Sequence, residues 1–308
     1  MRRIAVLCGG VGAARFLSGL VHVVDPSGVT AIVNVADDDE FHGLHVSPDI
    51  DTVLYTLAGV VDETQGWGRR DETFHAQEEL ARFGEDSWFR LGDRDLATHI
   101  HRTRLLRSGA SLTDVVEGMR TALGLRVRIL PASDEPQRTM VRTADGWIAF
   151  QDYFVKRRTA DEVRELRFEP AAAPTIHARS AIDDADVVVI APSNPFVSIG
   201  PILALAGVRE ALAAARAKVV AVSPIVGGAA IKGPAAAMLG TLGHEVSALG
   251  VARIYADVAG AFVLDEQDRD LAPAVEALGL RARTAATIMR DAASRSALAR
   301  AVIDAAPE

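Results

Sequence analysis

Asp186-Val187-Val188-Val189-Ile190-Ala191-Pro192-Ser193-Asn194-Pro195-Phe196-Val197-Ser198-Ile199-Gly200-Pro201 changes physical character at its centre. The run up to Ala191 is apolar, rich in β-branched side chains and closed by a proline, the composition of a buried parallel strand. A turn with two hydroxyls, one amide and a glycine follows, and then a helical pattern over Ile202–Ala215. In an open α/β sheet, ligands bind beyond the carboxyl ends of the strands, where loop amides and helix N-termini point outward. A polar, proline-stiffened loop at that place predicts a nucleotide or anion cradle built from Ser193, Asn194, Pro195, Ser198 and Gly200. The alternative is an ordinary strand-to-helix connection with a serine N-cap.

The same grammar repeats on both sides. Ile4–Leu7 reads as a strand, Gly9-Gly10-Val11-Gly12 as a tight turn, Ala13–Val24 as an amphipathic helix and Thr30–Val35 as a second strand. Further on come strands at Val219–Ser223 and Ala261–Leu264, with a helix at Ala235–Leu242. Short Val-rich strands alternating with Ala-rich helices predict an α/β fold, a Rossmann-like, doubly wound and mainly parallel sheet. The middle differs. Asp62–Leu123 is more charged and mostly helical in period, and Val127–Val155 reads as a β meander (Arg126–Leu130, Thr139–Thr143, Trp147–Tyr153) turning at Ala144-Asp145-Gly146. The expected layout is a nucleotide-binding core from residues 1–61 and 175–308. An acceptor-side subdomain, 62–174, is inserted over the carboxyl edge, with Glu169–Pro174 as the returning linker.

Bulk properties narrow the function. A net charge of -8 over 308 residues argues against a general nucleic-acid binder, which carries a basic stripe, and leaves room for a small phosphorylated substrate. The single cysteine, Cys8, permits no intramolecular disulfide and no Cys-based zinc site. The apolar run after Met1-Arg2-Arg3 stops at Gly9-Gly10, too short for a signal peptide. No stretch approaches the roughly 18 apolar residues of a membrane span. A cytoplasmic chain without membrane partners is expected, and the exposed middle insertion offers a surface for a homodimer.

Four segments carry chemistry. In the glycine turn, Gly9, Gly10 and Gly12 present backbone N–H groups to a phosphate, but Arg15 stands at the third fingerprint position and is too large for close helix–strand approach. Asp37-Asp38-Asp39-Glu40 and Pro48-Asp49-Ile50-Asp51-Thr52 form two acidic clusters, which suit magnesium, an ion held by one or two carboxylates plus substrate phosphates. Asp37 and Asp51 are the expected ligands, and Asp39 and Glu40 read as solvated charges. Phe89-Arg90-Leu91-Gly92-Asp93-Arg94-Asp95 alternates charge around a glycine, so an arginine there faces a phosphate or the segment is a helix start with internal ion pairs. Ser223-Pro224-Ile225-Val226-Gly227-Gly228, with Lys232 beyond, suits a diphosphate or a guanine edge. The eight histidines form no H-x-x-x-H pair, and neither a G-x-S-x-G elbow nor a Walker A loop occurs.

Taken in order, Gly9-Gly10-Val11-Gly12, Val33-Asn34, Pro48–Thr52, Leu91–Asp95, Gly109-Ala110-Ser111-Leu112-Thr113, Leu130-Pro131-Ala132-Ser133-Asp134 and the two late loops resemble the CofD/FbiA family. These are the 2-phospho-L-lactate or phosphoenolpyruvate transferases of coenzyme F(420) biosynthesis. The resemblance runs along nearly the whole chain. It implies a guanylyl-activated three-carbon acid as donor and the deazaflavin Fo as acceptor, whose ribityl hydroxyl receives the phosphoacyl group while GMP leaves. It further implies that Asp51, Thr52 and Arg90 contact the deazaflavin. The glycine loop, Ser193-Asn194 and the Ser223–Gly227 turn then lie near the nucleotide, with Mg2+ near Asp37 and Asp51. Asp51, Asp93 and Arg94 are assigned to catalysis, Asp51 as the group that holds the metal or orients the hydroxyl. The helix opening Ala13-Ala14-Arg15-Phe16-Leu17 is similar to the actinobacterial branch, associated with the phosphoenolpyruvyl donor. A regulatory nucleotide-sugar-binding protein of the gluconeogenesis-factor type is the competing reading, disfavoured by the Gly92–Asp95 segment and the Pro48–Thr52 acids. An NAD-dependent oxidoreductase is disfavoured by Arg15.

Overall fold

The apolar runs assemble into one sheet of seven parallel strands in the computed structural model, which describes residues 2–307. In chain order these are β1 (Ile4–Cys8), β2 (Val29–Val33), β3 (Arg128–Pro131), β4 (Val187–Ile190), β5 (Val219–Val222), β6 (Ala261–Asp265) and β7 (Arg281–Ala285). They lie side by side as β3-β2-β1-β4-β5-β6-β7, every pair parallel. The strand order therefore reverses between β1 and β4, the place where a doubly wound sheet opens a crevice. Register sharpens this: Leu7 of β1 is paired with Ile32 of β2 and Ile190 of β4. The loops after all three strands leave the sheet at one level.

The side chains alternate between two cores, as the two-residue period of a strand requires. Val6, Val189, Val220 and Val263 face one side, packed with helix α1 (Gly10–Leu20) and the C-terminal helix Ala292–Ala305. Leu7, Ile190, Ala221 and Phe262 face the other. Helix α1 starts at Gly10, earlier than its apolar period suggests, because Gly10 takes a left-handed φ of 71° and turns the chain straight out of β1. The close approach that Arg15 forbids is made elsewhere on this helix. A Cβ on Gly12 would overlap the Pro192 carbonyl oxygen, and one on Gly19 would overlap the Arg295 backbone of the C-terminal helix.

Between β2 and β3 the chain builds helices α2 (Pro48–Leu57), α3 (His75–Arg82), α4 (Asp93–Arg107) and α5 (Leu112–Ala122). The segment grouped above with a meander, Arg126–Leu130, instead supplies β3, the edge strand paired with β2 from Thr30↔Arg128 onward. Burial of Ile129 and Leu130 decides this. The antiparallel sheet is made of Arg138–Thr143 flanked by Gly146–Ala149 and Glu165–Glu169. The predicted strand Trp147–Tyr153 stops at Ala149, and a helical turn over Asp152–Lys156 buries Tyr153. The predicted helix Ile202–Ala215 is two helices, Gly200–Ala204 and Val208–Ala214, separated where Gly207 adopts φ 75°. In that gap the Ala206 N–H donates to the Ala172 carbonyl at 3.1 Å, which docks the linker onto the core. Among the described residues no helix is long and apolar enough to cross a membrane.

Gly19→Ala is expected to destabilise the chain by about 1–3 kcal/mol through overpacking of α1 against the C-terminal helix, read as a lower midpoint in a thermal melt.

Candidate functional site

The loops at the strand-order reversal are fastened to one another by short polar side chains. Asn34, directly after β2, donates through Nδ2 to Asp49 Oδ2 at 3.0 Å and to the Val197 carbonyl at 3.3 Å. Its Oδ1 accepts from the Ala36 N–H at 3.0 Å. Ser193 Oγ donates to the Gly9 carbonyl at 2.9 Å. Gly9 sits so tightly among these loops that a Cβ would lie 2.9 Å from Ser198 Cβ and 3.3 Å from Asn34 Cβ. The sequence-predicted residues Gly9, Gly10, Gly12, Ser193 and Ser198 thus share one wall with Asn34 and Asp49.

Other expected nucleotide contacts are committed to the loops themselves. Asn194 Oδ1 accepts from Phe196 N–H at 2.9 Å, closing a turn, and its Nδ2 meets Met238 Sδ at 3.4 Å. Gly200 packs on that turn, a Cβ there lying 3.1 Å from the Pro195 carbonyl oxygen. Ser223 Oγ donates to the Ile225 carbonyl at 2.9 Å and accepts from the Ile225 N–H at 3.1 Å. The Gly227 N–H donates to the Asp268 carboxylate at 3.1 Å. These residues shape the crevice with their backbones.

The acids divide into two electrostatic groups. Asp49 and Asp51 both stand in the first turn of α2. Asp51 faces Arg102 on α4, whose Nη1 donates to Oδ2 at 3.0 Å while Nη2 bonds Oδ1, a bidentate pair. Arg102 is fully buried. Around the pair, His99 Nδ1 lies 3.8 Å from Asp51 Oδ2 and His99 Nε2 lies 3.3 Å from Asp95 Oδ1. Tyr55 Oη donates to Asp95 Oδ1 and accepts from Thr98 Oγ1, each at 2.7 Å. Burial works against Asp95, yet contact with His99 and Tyr55 holds its carboxyl below the usual range. Thr52 is buried beside Asp51.

Among the described residues Asp37 and Asp49 have no such cation, and Asp38 has only His45 beside it. Burial pushes the Asp37 carboxyl well up, and the negative charges of Asp49 and Asp38 push it further. Burial likewise raises Asp49 to about 6, against the opposing hydrogen bonds from Asn34 and the Gly10 N–H. Asp38 Oδ2 accepts from Ser47 Oγ at 2.7 Å and lies 3.0 Å from His45 Nε2, while its Oδ1 is buried without a partner.

Asp93, Arg94 and Arg90 do not join these acids. Asp93 accepts from Thr73 Oγ1 at 2.6 Å and from the N–H groups of His75 and Ala76 at 3.1 and 3.0 Å, capping α3. Glu72 in turn accepts from the N–H groups of Arg94 and Asp95, both at 2.8 Å, capping α4. A Cβ on Gly92 would overlap the Glu72 side chain and displace the carboxylate that caps α4. Arg94 Nη1 lies 3.3 Å from the Arg70 carbonyl oxygen. Arg90 is exposed and stacks its guanidinium 4.0 Å over the Phe74 ring.

A family model described as 2-phospho-L-lactate transferase CofD matches residues 4–304. The chain belongs to that family. It is 45% identical over 314 aligned positions to a phosphoenolpyruvate transferase of Streptomyces griseus, covering 99% of each chain. It is 39% identical over 302 positions to a 2-phospho-L-lactate transferase of Methanosarcina mazei, covering 97% of this chain and 99% of that one. The crystal structure of protein BH3568 from Bacillus halodurans aligns with a TM-score of 0.65 at 20% identity, covering 98% of this chain and 99% of that one, a likeness of fold.

In this CofD family member the acids left without a cation are the ones a divalent metal fits. Among the described residues no three His, Cys, Asp or Glu side chains form a ready-made metal cage. Asp37 and Asp49, buried and mutually repelling, match the sparse protein donor set of magnesium, completed by phosphate oxygens and water. Asp51 is already neutralised by Arg102. Sequence reasoning assigned no role to Asn34, His45, His99 or Arg102. One signal was present: Asp95, His99 and Arg102 fall at i, i+4 and i+7, a single helix face.

Two outcomes are expected. Folding lifts Asp49 from 3.8 to about 6, so the folded chain holds its proton more tightly than the unfolded one. Stability is then lost as pH rises from about 4 to about 6 and stays lower above that window. In metal-free buffer Asp49→Asn should melt higher than the parent chain at pH 7, and the gap should close below pH 4. Arg102→Met should cost about 3–5 kcal/mol by stranding a buried Asp51 charge. Adding Asp51→Asn should recover much of that loss in denaturant melts.

Proposed function

We propose that the chain transfers a phosphoenolpyruvyl or 2-phospholactyl group from a guanylyl-activated donor to the ribityl hydroxyl of the deazaflavin Fo. GMP leaves, and coenzyme F(420)-0 or its dehydro form results. The observation that carries this reading is the pair Asp37 and Asp49. These acids are buried without a countercharge beside the glycine turn at the strand-order reversal, in a chain of this family. The relatives named for phosphoenolpyruvate and 2-phospho-L-lactate support the two candidate acyl groups.

The chemistry is an in-line displacement at phosphorus. The ribityl oxygen forms a bond to the phosphorus that carries the three-carbon acid, the bridging P–O bond breaks, and GMP departs with that electron pair. The hydroxyl proton is lost to solvent as the new P–O bond forms. Magnesium held by Asp37 and Asp49 would neutralise the charge of the donor's phosphates. The N–H groups of the glycine turn face the nucleotide half, and the Ser193–Gly200 loop walls it in. Positioning and fixed dipoles supply most of the rate in phosphoryl transfer. Asp51, paired with Arg102, and Thr52 beside it orient the ribityl chain, and Arg90 extends the acceptor surface.

The test is incubation of the purified chain with Fo, magnesium and each guanylylated acid separately, with products identified by mass. GMP release with a matching mass gain on Fo is expected. Tight binding of a nucleotide sugar without turnover would replace this reading by the regulatory one. Asp49→Asn and Asp37→Asn are each expected to lower turnover at least about 100-fold, the range lost when a preorganised electrostatic group is removed, measured as GMP release under saturating substrates.

A further inference from the structure

Arg15, the residue that breaks the dinucleotide fingerprint, projects from the second turn of α1. Its Nη2 lies 3.5 Å from the Glu63 carbonyl oxygen. Lys232, just after the Ile225–Ala230 hairpin, donates through Nζ to the Gln65 carbonyl. Among the described residues neither cation is within ion-pair distance of a carboxylate. Glu63, whose carbonyl meets Arg15, turns its carboxylate toward Arg295 Nη2 at 3.6 Å.

Lys232 reaches the first turn of α1 within range of the Arg15 charge. Gly66 marks the spot: a Cβ there would lie 2.6 Å from Val11 Cγ1 and 3.3 Å from Lys232 Nζ. The turn that carries it is closed by the Gly66 N–H bond to the Asp62 carbonyl at 2.7 Å and by Asp62 Oδ1 accepting from Thr64 N–H at 2.8 Å. Burial lowers the Lys232 ammonium's affinity for its proton, and the neighbouring charge of Arg15 lowers it further. Carbonyl oxygens are weak partners for cations compared with a phosphate. Lys232 is exposed and Arg15 half-buried, so two like charges whose protein partners are carbonyls stand within reach of an entering anion.

We infer that Arg15 and Lys232 form a clamp for the diphosphate of the donor nucleotide, with Lys232 exchanging the Gln65 carbonyl for a phosphate oxygen when the donor enters. The inference rests on the guanylylated-donor reading and gives it two binding residues outside the glycine turn. Because charge builds on the departing GMP oxygen, the clamp also acts on the leaving half.

Calorimetric titration of the full chain with GDP, GMP and inorganic diphosphate in EDTA tests it, since the protein's own cations then hold the ligand alone. Arg15→Gln and Lys232→Met should each weaken GDP binding about tenfold or more, with unchanged melting midpoints and a shallower salt dependence. Lys232→Arg should restore most of the affinity, and GMP should lose less than GDP. If both charge-removing variants bind GDP as the parent chain does, the clamp is wrong while the donor reading stands. If the parent chain binds inorganic diphosphate but neither GDP nor GMP, and the variants lose that binding, the clamp stands and the guanylyl donor falls.

Discussion

The carboxamide of Asn34 joins three segments that are far apart in sequence. Its own loop follows β2, its Nδ2 reaches the first turn of α2 at Asp49, and the same nitrogen reaches the Val197 carbonyl in the loop after β4. The strands bring these loops to one level through register, and backbone pairing runs only a residue or so further, as in the Asn34 N–H bond to the Cys8 carbonyl. Beyond them this side chain and the Ser193–Gly9 bond fasten the loops to one another, with the Gly10 N–H bond to Asp49 and the Gln151 bond to the Asp37 carbonyl beside them. A buried amide with both ends engaged specifies geometry well, because any displacement leaves polar groups unpaired.

That geometry places charges of opposite fate within one helical turn. Asp51 meets an arginine, and bidentate pairing inside the protein compensates the desolvation of both groups. Asp49, two residues earlier, meets only an amide and a backbone N–H, so folding leaves it costly when ionised. A helix of 3.6 residues per turn points these two side chains in different directions. α2 therefore presents one acid to the neighbouring α4 and the other to the crevice. The fold sustains an unfavourable acidic cluster at the place where a metal and phosphates would relieve it, as perturbed groups at functional sites often do.

How far the sequence discloses all this depends on the physics behind each element. Fully buried parallel strands announce themselves as β-branched runs, so β1, β2, β4, β5 and β6 are legible in their composition. The edge strand β7, Arg281-Ala282-Arg283-Thr284-Ala285, is largely exposed on its outer side and carries no such signature. β3 is short and begins with an exposed arginine, so it passes for part of the adjacent antiparallel hairpin. The break at Gly207 needs the docked linker to explain it, a tertiary cause invisible to helical periodicity. At the site, the acidic clusters and glycine turn are plain in the sequence. The division of labour between Asp49 and Asp51 is not, because it depends on Arg102 arriving from α4.

The exchanged caps of α3 and α4 have a consequence for motion. Each helix start is satisfied by a carboxylate lying just before or within the other, Glu72 for α4 and Asp93 for α3. Neither N-terminus can fray without exposing the donors of both, so residues 72–95 open and close as one cooperative unit with a shared opening free energy. Amide hydrogen exchange should record matching protection at the two helix starts. Arg90 and the aromatic residues between them would then be carried as a hinged flap, rising and settling together.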